Sequence, residues 1–234
     1  MMMLEISDLR SGYATGDVLQ GVSLGLQAGE IVGVIGRNGV GKSTLMRTVI
    51  GLLRARTGSI RLRGQDVTAL RAEDRARLGI GYVPQGRGMF GAMSVLDNLR
   101  TGCYVGGGRG KPQFDLVYSY FPILRERANQ LAGTLSGGQQ EMLAIARALI
   151  GAPDVLLLDE PSDGVQPSIV EQIGEFLVDL NRRQRLTILL VEQNVDLMQR
   201  VAQRVHVLEK GQMIATLEGE QIHSAETLAG YLAI

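Results

Sequence analysis

Residues 36–44 read Gly36-Arg37-Asn38-Gly39-Val40-Gly41-Lys42-Ser43-Thr44 and match the G-x-x-x-x-G-K-[ST] pattern of a phosphate-binding loop. In this pattern the glycines allow backbone N–H groups to point into one concavity that an anion can occupy. Lys42 would bring a positive charge to the β- and γ-phosphates of a nucleotide, and the Ser43 hydroxyl would be placed to bind Mg²⁺. The loop therefore predicts a phosphate site.

The segments on either side of this loop support that prediction. Residues 30–35, which are apolar after Glu30, are typical of a buried strand, and residues 42–50 have the pattern of a helix whose N-terminus faces the loop. A glycine-rich turn that binds nothing is the alternative. Because such a turn does not need a strand before it and a helix after it, the order of elements favours anion binding.

The composition of the 234-residue chain limits the remaining functions. Basic and acidic residues number 24 each and tryptophan is absent, so neither net charge nor a base-stacking surface suggests nucleic acid. The single cysteine, Cys103, has no partner for an internal disulfide and is consistent with a reducing compartment. Neither a signal peptide nor a run of roughly 18 apolar residues is present. We expect a soluble protein that would reach a membrane only through a partner.

An α/β core with additions is predicted around the loop. Residues 3–10 and 18–26 alternate like antiparallel strands, with a turn at residues 11–13, which favours a small β-subdomain ahead of the core. At the end of that turn, Tyr13 would either stack on an adenine or lie half-buried in the sheet, and position alone leaves both open.

The rest of the chain alternates between strand and helix patterns. Further strands are predicted at residues 58–63, 79–83, 155–158, 186–191, 204–208 and 212–217, and helices at 71–78, 114–120, 122–129, 140–150, 168–181, 194–201 and 224–232. Ser94 is a predicted N-cap, and residues 106–112 are a predicted glycine-rich loop. Residues from about 89 to 133 therefore look like a helical insertion into the core.

Two acids follow the apolar run of residues 155–158, at Asp159 and Glu160. The carboxyl end of a buried parallel strand is where α/β sheets bind ligands. One carboxylate there could hold Mg²⁺ or its water, and the next could polarise an attacking water. A solvated acidic turn is the alternative, and the apolar run in a chain with a phosphate loop argues against it.

A second helix N-terminus with small residues occurs at Ser136-Gly137-Gly138, within the run Leu135 to Gln139. A nucleotide needs only one such cradle from a given chain. The second one therefore suggests a site that another subunit completes.

Taken in order, these motifs resemble those of the ATP-binding cassette (ABC) ATPase family over essentially the whole chain. Residues 36–44 match its phosphate loop, Pro84-Gln85 its Q-loop, Leu135 to Gln139 its LSGGQ signature, and residues 155–160 its Walker B strand. The resemblance implies a single domain over residues 1–234. Its P-loop NTPase core, which is RecA-like, and the antiparallel β-subdomain would occupy residues 1–88 and 134–234, and the α-helical subdomain about 89–133.

The same resemblance implies ATP and Mg²⁺ as cofactors and a head-to-tail dimer that holds two ATP molecules between its protomers. Glu160 would be the catalytic base, assisted by Gln85, which would contact Mg²⁺ or the attacking water. Lys42 and Gln193 would act at the γ-phosphate, and Tyr13 would stack on the adenine.

The remaining implied contacts come from the loop and the signature. The cofactor-binding set is Tyr13, Gly36, Arg37, Asn38, Gly39, Val40, Gly41, Lys42, Ser43 and Thr44, together with Ser136, Gly137, Gly138 and Gln139, which would contact nucleotide bound by the opposite protomer. The implied metal-binding set is Ser43, Gln85 and Asp159.

Two positions depart from the family pattern. Gln193 stands where a switch histidine is usual, and Gln166 stands where the D-loop usually carries aspartate. Gln193 can still hydrogen-bond a γ-phosphate, but it cannot accept or donate a proton as histidine does. This weakens any mechanism that relies on histidine acid–base chemistry and leaves Glu160 in place.

Three runs narrow the resemblance further. Residues 83–87, 142–149 and 191–194 look like the second ATPase subunit of branched-chain amino acid importers, a type that urea and short-chain amide importers share. Residues 163–169 look closer to the urea branch. This subfamily implies a paralogous ATPase partner, with a homodimer possible in isolation, and two transmembrane permease subunits. It also implies an extracytoplasmic solute-binding protein and a peripheral position on the cytoplasmic face of the inner membrane.

Three alternatives compete with the importer hypothesis. A soluble ABC ATPase acting on ribosomes or DNA would usually carry two cassettes or a long coiled-coil insert. A small-molecule kinase would have no use for the signature. A non-hydrolysing regulatory cassette is suggested by Gln166 and Gln193.

Overall fold

The computed structural model describes residues 1–105 and 111–233, and this part of the chain forms ten strands and ten α-helices. The strands are β1 (Met2–Tyr13), β2 (Gly16–Gln27), β3 (Ile31–Ile35), β4 (Ala55–Leu62), β5 (Gln65–Asp66), β6 (Ile80–Val83), β7 (Val155–Asp159), β8 (Thr187–Glu192), β9 (Arg204–Glu209) and β10 (Gln212–Glu218). The helices are α1 (Lys42–Ile50), α2 (Ala72–Arg77), α3 (Val95–Val105), α4 (Phe114–Tyr120), α5 (Pro122–Glu126), α6 (Gly137–Ile150), α7 (Pro167–Gln184), α8 (Val195–Val201), α9 (Glu220–His223) and α10 (Ala225–Ala233). Most of the predicted loop at 106–112 lies outside the described residues.

The strands form two sheets, which confirms the predicted α/β class. A six-stranded sheet has the order β10-β9-β3-β8-β7-β6, in which the five strands from β9 to β6 are parallel and β10 is the antiparallel partner of β9. A second, antiparallel sheet has the order β2-β1-β4-β5. The predicted hairpin of β9 and β10 and the predicted early β-subdomain are thus both present.

Alternate residues of the buried parallel strands face two different cores. In β7, for example, Leu156 and Leu158 pack into a core with α6 and α7, while Val155 and Leu157 pack into a core with α1 and the antiparallel sheet. Because both faces are covered, β3, β7 and β8 are buried along their whole length and read as continuous apolar runs.

One turn prediction is wrong. Residues 11–13 belong to β1, and the turn to β2 lies at residues 14–15. The pairing of β1 with β2 contains register shifts, which interrupt the simple alternation that marks a strand in the sequence. Residue 12 of β1 must be glycine, because a Cβ at this position would clash with the backbone at Gly16. Tyr13 consequently stands at the end of a strand.

Helix α3 begins at the predicted N-cap, and α4 covers the predicted residues. Ser94 precedes α3, and its hydroxyl accepts a hydrogen bond of 3.0 Å from the backbone N–H of Asp97, as the N-cap prediction requires. Helix α4 has the predicted bounds, 114–120. Within the described residues, no helix combines the length and apolar character needed to cross a membrane.

Arg75 on α2 is an unusual interior residue, because it is 1% exposed and its acceptors are backbone carbonyls. Its guanidinium donates to Thr48 and Val49 at 2.8 Å each, to Leu70 at 3.1 Å and to Thr68 at 2.7 Å. Carbonyls in the last turn of a helix lack intrahelical donors, and a cation there also interacts favourably with the helix dipole. Arg75 therefore connects the C-terminal end of α1 to α2 and the segment before it.

We predict that Arg75→Met lowers the free energy of unfolding by about 3 kcal/mol, because buried carbonyls lose charged donors. Arg75→Lys should have an intermediate effect, since an ammonium keeps the charge but cannot reach all four acceptors. Urea denaturation measures both. Arg77→Met, on the exposed side of α2, is the control and should change the value by less than about 0.5 kcal/mol; equal losses at the two positions would contradict this assignment.

His206 on β9 is buried, and its Nε2 has no hydrogen-bond partner among the described residues. Its Nδ1 lies 2.9 Å from the hydroxyl of Thr216 on β10. Burial, with a smaller contribution from the Arg204 charge, lowers the pKa of His206 from 6.5 to about 4. The folded protein therefore keeps this imidazole neutral at pH values where the unfolded chain protonates it.

This pKa difference predicts acid sensitivity. Below pH 6.5 the unfolded chain binds a proton that the folded chain does not, so stability falls as pH falls towards 4 and then stops changing. The contribution between about pH 7 and pH 4 is roughly 3 kcal/mol. Urea denaturation across this range should show a smaller pH dependence for His206→Leu than for the unaltered protein. His223→Gln, at the exposed second histidine, should leave the dependence unchanged; if both variants have the unaltered profile, the assignment to His206 is wrong.

Candidate functional site

The carboxyl ends of four parallel strands meet at one edge of the central sheet. Ile35 in β3 pairs with Glu192 in β8, and Asp159 in β7 pairs with Val191 in β8. Val83 in β6 is in turn aligned with residue 158. The segments that follow these strands carry the phosphate loop, Gln193, Glu160 and Gln85, so the fold brings these predicted residues to the same edge.

The phosphate loop has the backbone geometry that its glycines predict. A Cβ on Gly36 would clash with the carbonyl oxygen of Leu208, while Gly39 and Gly41 have φ values of +81° and +116°. Gly41 also precedes the first residue of α1 and has no side chain that could cap the helix. The N-terminus of α1 is therefore open towards the loop, as an anion site requires.

Lys42 is buried at the centre of this arrangement. Its ammonium donates to the carbonyl oxygens of Gly36 at 2.6 Å and Arg37 at 2.9 Å. It also lies 3.0 Å from Oε1 of Glu160, whose side chain is buried as well. The phosphate loop is thus joined directly to the end of β7 by an ion pair.

Glu160 is held at several points. Its φ of +50° is unusual for a residue with a Cβ, and its N–H donates to the carbonyl oxygen of Val191 at 2.9 Å. Gln85 donates from Nε2 to Oε2 of Glu160 at 2.9 Å and to Oδ2 of Asp163 at 3.3 Å. A left-handed non-glycine residue at such a position is a form of backbone strain that occurs at functional sites.

Asp159 faces the start of α1. Its Oδ1 accepts a hydrogen bond of 3.0 Å from the Ser43 hydroxyl, and its Oδ2 accepts one of 3.2 Å from Tyr82. Burial raises the pKa of Asp159, and both of these hydrogen bonds lower it. A serine hydroxyl, an aspartate and a nearby glutamine amide provide oxygen ligands, which suit Mg²⁺ rather than a metal that prefers histidine or cysteine. Tyr82 was not expected from the sequence.

Lys42, Ser43 and Glu160 border a cavity of about 350 Å³. Its lining consists of Tyr13, Val18, Asn38, Gly39, Gly41, Lys42, Ser43, Thr44, Gln85 and Glu160. Tyr13 is 42% exposed, and its hydroxyl accepts a hydrogen bond of 3.4 Å from Arg47. An exposed ring beside the phosphate loop can stack on a flat ligand.

A larger cavity of about 630 Å³ lies between α7 and α8. It is lined by Val165, Pro167, Val170, Glu171, Asn194, Asp196, Leu197, Gln199 and Arg200. It contains neither the phosphate loop nor the buried acids. We therefore assign the functional site to the smaller cavity on chemical grounds.

The signature residues lie elsewhere on the described surface. Ser136 is exposed and caps α6, where its hydroxyl accepts from the N–H of Gln139 at 3.4 Å and the Gln139 side chain accepts from the N–H of Ser136 at 3.1 Å. This capping box starts the helix at Gly137, three residues before the predicted start at 140. Residues 136–139 do not line the cavity at their own phosphate loop.

Glu192 is a residue that the sequence reasoning missed. It is fully buried, and its carboxylate accepts hydrogen bonds from the backbone N–H groups of Ser162 at 2.9 Å, Gln193 at 2.8 Å and Asn194 at 2.9 Å. It thereby ties the turn after β7 to the turn after β8 and orients the backbone at Gln193. An acid directly after a fully apolar strand, the pattern that identified Asp159, could have indicated it.

Comparison with known proteins agrees with this geometry. The sequence profile of a family described as ABC transporter matches residues 19–163. The chain is 43% identical to the high-affinity branched-chain amino acid transport ATP-binding protein BraG of Pseudomonas aeruginosa, with 91% of each chain covered. It is 37% identical to the probable branched-chain amino acid transport ATP-binding protein LivF of Archaeoglobus fulgidus, with 90% of each covered.

Among solved structures, the ADP conformation of MJ1267, an ATP-binding cassette of an ABC transporter, is similar with a TM-score of 0.84 and 27% identity. That similarity covers 99% of this chain and 98% of MJ1267. The similar architecture confirms the predicted ABC ATPase fold. The chain therefore belongs to the ABC transporter family, as one of its ATP-hydrolysing cassettes.

Proposed function

We propose that this chain is the ATPase subunit of an importer for branched-chain amino acids. The observation that carries the ATPase assignment is the contact of Lys42 and Gln85 with the two carboxylate oxygens of Glu160 beside the phosphate loop. The named solutes of BraG and LivF favour branched-chain amino acids. Urea or a short-chain amide is a second candidate, because residues 163–169 resemble the urea branch.

The residues at the site suit ATP with Mg²⁺. Lys42 and the backbone of residues 36–44 would bind the β- and γ-phosphates, and Tyr13 would stack on the adenine at the rim of the cavity. Ser43, Asp159 and Gln85 would hold the metal. When bound, Mg²⁺ would neutralise charge on the phosphates.

Glu160 is our candidate for the general base. Its carboxylate is buried and fixed by Lys42 and Gln85, and its backbone N–H is fixed by Val191, so it can be presented to a water molecule in one orientation. Gln85 is within reach of the same position, and we assign it a role in orienting that water. The water would attack the γ-phosphate in line with the leaving group. Gln193, placed by Glu192, would donate a hydrogen bond to the γ-phosphate without transferring a proton.

We further propose that a second cassette completes the site. The Ser136–Gln139 segment is partly exposed and stands outside the cavity of its own chain, so its helix N-terminus is available to another protomer. The partner would be a paralogous ATPase in the importer, or a second copy of this chain in isolation. Stronger binding of ATP to the closed pair than to the open pair would drive the transport cycle.

The permease has a candidate contact surface at the other end of α1. An apolar groove of about 410 Å³ is lined by Ile50, Leu52, Ala72, Glu73, Ala76, Arg77, Ile80, Tyr82, Tyr104 and Val105. Leu52 is 63% exposed and Tyr104 is 84% exposed. Exposed apolar residues around a groove are typical of protein–protein contact. The groove lies beside α3, which we assign to a helical subdomain at residues 89–133.

This contact would hold the ATPase at the cytoplasmic face of the membrane. Two permease subunits would each receive one cassette, and an extracytoplasmic binding protein would deliver the solute to them. We propose no nucleic-acid partner for this chain.

We predict that Glu160→Gln leaves ATP binding nearly unchanged and slows phosphate release by at least about 100-fold, because the side-chain shape remains while the base is lost. Binding of a fluorescent ATP analogue and phosphate release measure the two effects. Glu171→Gln, on the exposed face of α7, is the matched control and should behave as the unaltered protein. Hydrolysis at the normal rate by Glu160→Gln would contradict the role of Glu160. No phosphate release from the unaltered protein, even with its partner subunits, would favour a regulatory cassette instead.

The groove predicts a second pair of effects. Leu52→Ser combined with Tyr104→Ser should weaken co-purification with permease-containing membranes, while the melting temperature and the ATPase rate of the isolated chain stay the same, because both side chains are exposed. Ile214→Ser on β10, at the opposite edge of the central sheet, should leave membrane association intact. Equal association of all three proteins would rule out this groove as the permease contact.

A further inference from the structure

Arg87 follows the Q-loop glutamine by two residues and has an unusual backbone conformation, with φ of +70°. Its carbonyl oxygen accepts a hydrogen bond of 3.2 Å from Nη2 of Arg147 in the last turn of α6. The backbone of the segment after β6 is therefore attached to the signature helix at Arg147. A strained non-glycine residue persists only where its surroundings hold it.

The side chain of Arg87 links its own segment, after β6, to two other segments of the candidate site. Its Nη1 donates to Oε1 of Gln140 at 2.9 Å, and its Nε lies 3.3 Å from Oε2 of Glu141, both in the first turn of α6. Its Nη2 is 3.5 Å from the carbonyl oxygen of Gly164, in the turn after β7. One guanidinium thus contacts the helix that carries the signature and the turn that carries Asp163.

The glycine at position 137 leaves room for this contact. A Cβ on Gly137 would lie 3.2 Å from Nη2 of Arg87 and 3.4 Å from the carbonyl oxygen of Gly164. The first distance is tighter than usual for a Cβ and the second is an ordinary contact, so a side chain there would press mainly on the guanidinium. The small residue of the signature therefore has a role within its own chain.

Glu141 depends on Arg87 for its charge balance. It is 4% exposed, and burial raises its pKa to about 7, whereas Arg87 lowers it. The other charged groups that face it, Glu192 and Asp163, are acidic and raise the pKa further. A buried carboxylate with acidic neighbours requires a fixed cation, and Arg87 supplies it.

We propose that Arg87 is a positioning residue that holds the signature segment, residues 136–139, in register with Gln85 and with the turn after β7. The inference rests on the proposed function, because it gives the contact a role in nucleotide use. A nucleotide that contacts Gln85 would also affect the segment that follows it. That segment is held in place by the backbone and side-chain hydrogen bonds of Arg87. A displacement at Gln85 is transmitted through these hydrogen bonds to the first turn of α6, and hence to residues offered to the other protomer.

Hydrogen–deuterium exchange tests this transmission without measuring turnover. In the unaltered protein, the slowly hydrolysed analogue AMP-PNP with Mg²⁺ should slow amide exchange in residues 36–44 and change exchange in residues 136–141. In Arg87→Met, the effect at 36–44 should remain and the change at 136–141 should be lost. Arg87→Lys should recover part of it, because an ammonium can pair with Glu141 but cannot reach Gln140 and Gly164 together.

Arg204→Met is the matched control. Arg204 is also a largely buried arginine, and it contacts Glu30 at 2.9 Å and the carbonyl oxygen of Gly25 at 2.6 Å. It begins β9, however, and so lies at the amino ends of the parallel strands, away from the candidate site. Its loss should lower the melting temperature and leave both exchange responses intact. A purely stabilising role for Arg87 would give the same result in Arg87→Met.

Three outcomes would overturn the inference. The first is a change at 136–141 that persists in Arg87→Met, and the second is no such change in the unaltered protein. The third is a change that disappears on dilution, since it would then come from a second protomer. If residues 36–44 of the unaltered protein do not respond to AMP-PNP, the proposed function itself fails. A response at 36–44 without one at 136–141 overturns only the role of Arg87.

Discussion

The buried ion pair between Lys42 and Glu160 is the constraint around which the site is built. Removing two charges from water is costly, and the attraction between them offsets that cost only when their remaining hydrogen-bonding capacity is used. Here the carbonyls of Gly36 and Arg37 accept from Lys42, and Gln85 donates to Glu160. The phosphate loop, the Q-loop and the end of β7 are therefore interdependent, because each provides groups that the pair needs.

The central sheet allows this concentration of polar groups at one edge. Its strands bury apolar residues on both faces, so the polar residues begin where the strands end. Asp159 and Glu192 each end a strand, and each uses its carboxylate to order the adjacent loop: Asp159 through Ser43, and Glu192 through the backbone of residues 162 and 193–194. The site is thus a set of loops fixed by carboxylates at strand ends.

The sequence predicted much of this arrangement and missed some of its supports. Apolar runs and helical periodicity are clear signals within short segments, and they predicted strands β3, β7 and β8 and helices α1 and α4. The turn at residues 11–13 was misplaced because bulges break the alternation of β1. The predicted helix 140–150 begins three residues later than α6, although Ser136–Gly138 was identified as a helix N-terminus, because two consecutive glycines disfavour a helix. The roles of Tyr82, Arg87 and Glu192 were missed, since each contacts at least one residue far away in the chain.

By itself, the sequence determined the phosphate loop, the order of the motifs and the α/β class, because these depend on residue types at short, fixed spacings. Only the tertiary structure decided which charges meet: Lys42 with Glu160, Arg87 with Glu141, and Glu192 with the backbone of two turns. The physical reason is that these contacts join helices and loops that are far apart in the chain, and their distances depend on how the sheet aligns the strands that precede them. Likewise, the separation of the signature from its own phosphate loop follows from the packing of α6 against the sheet, which no local pattern encodes.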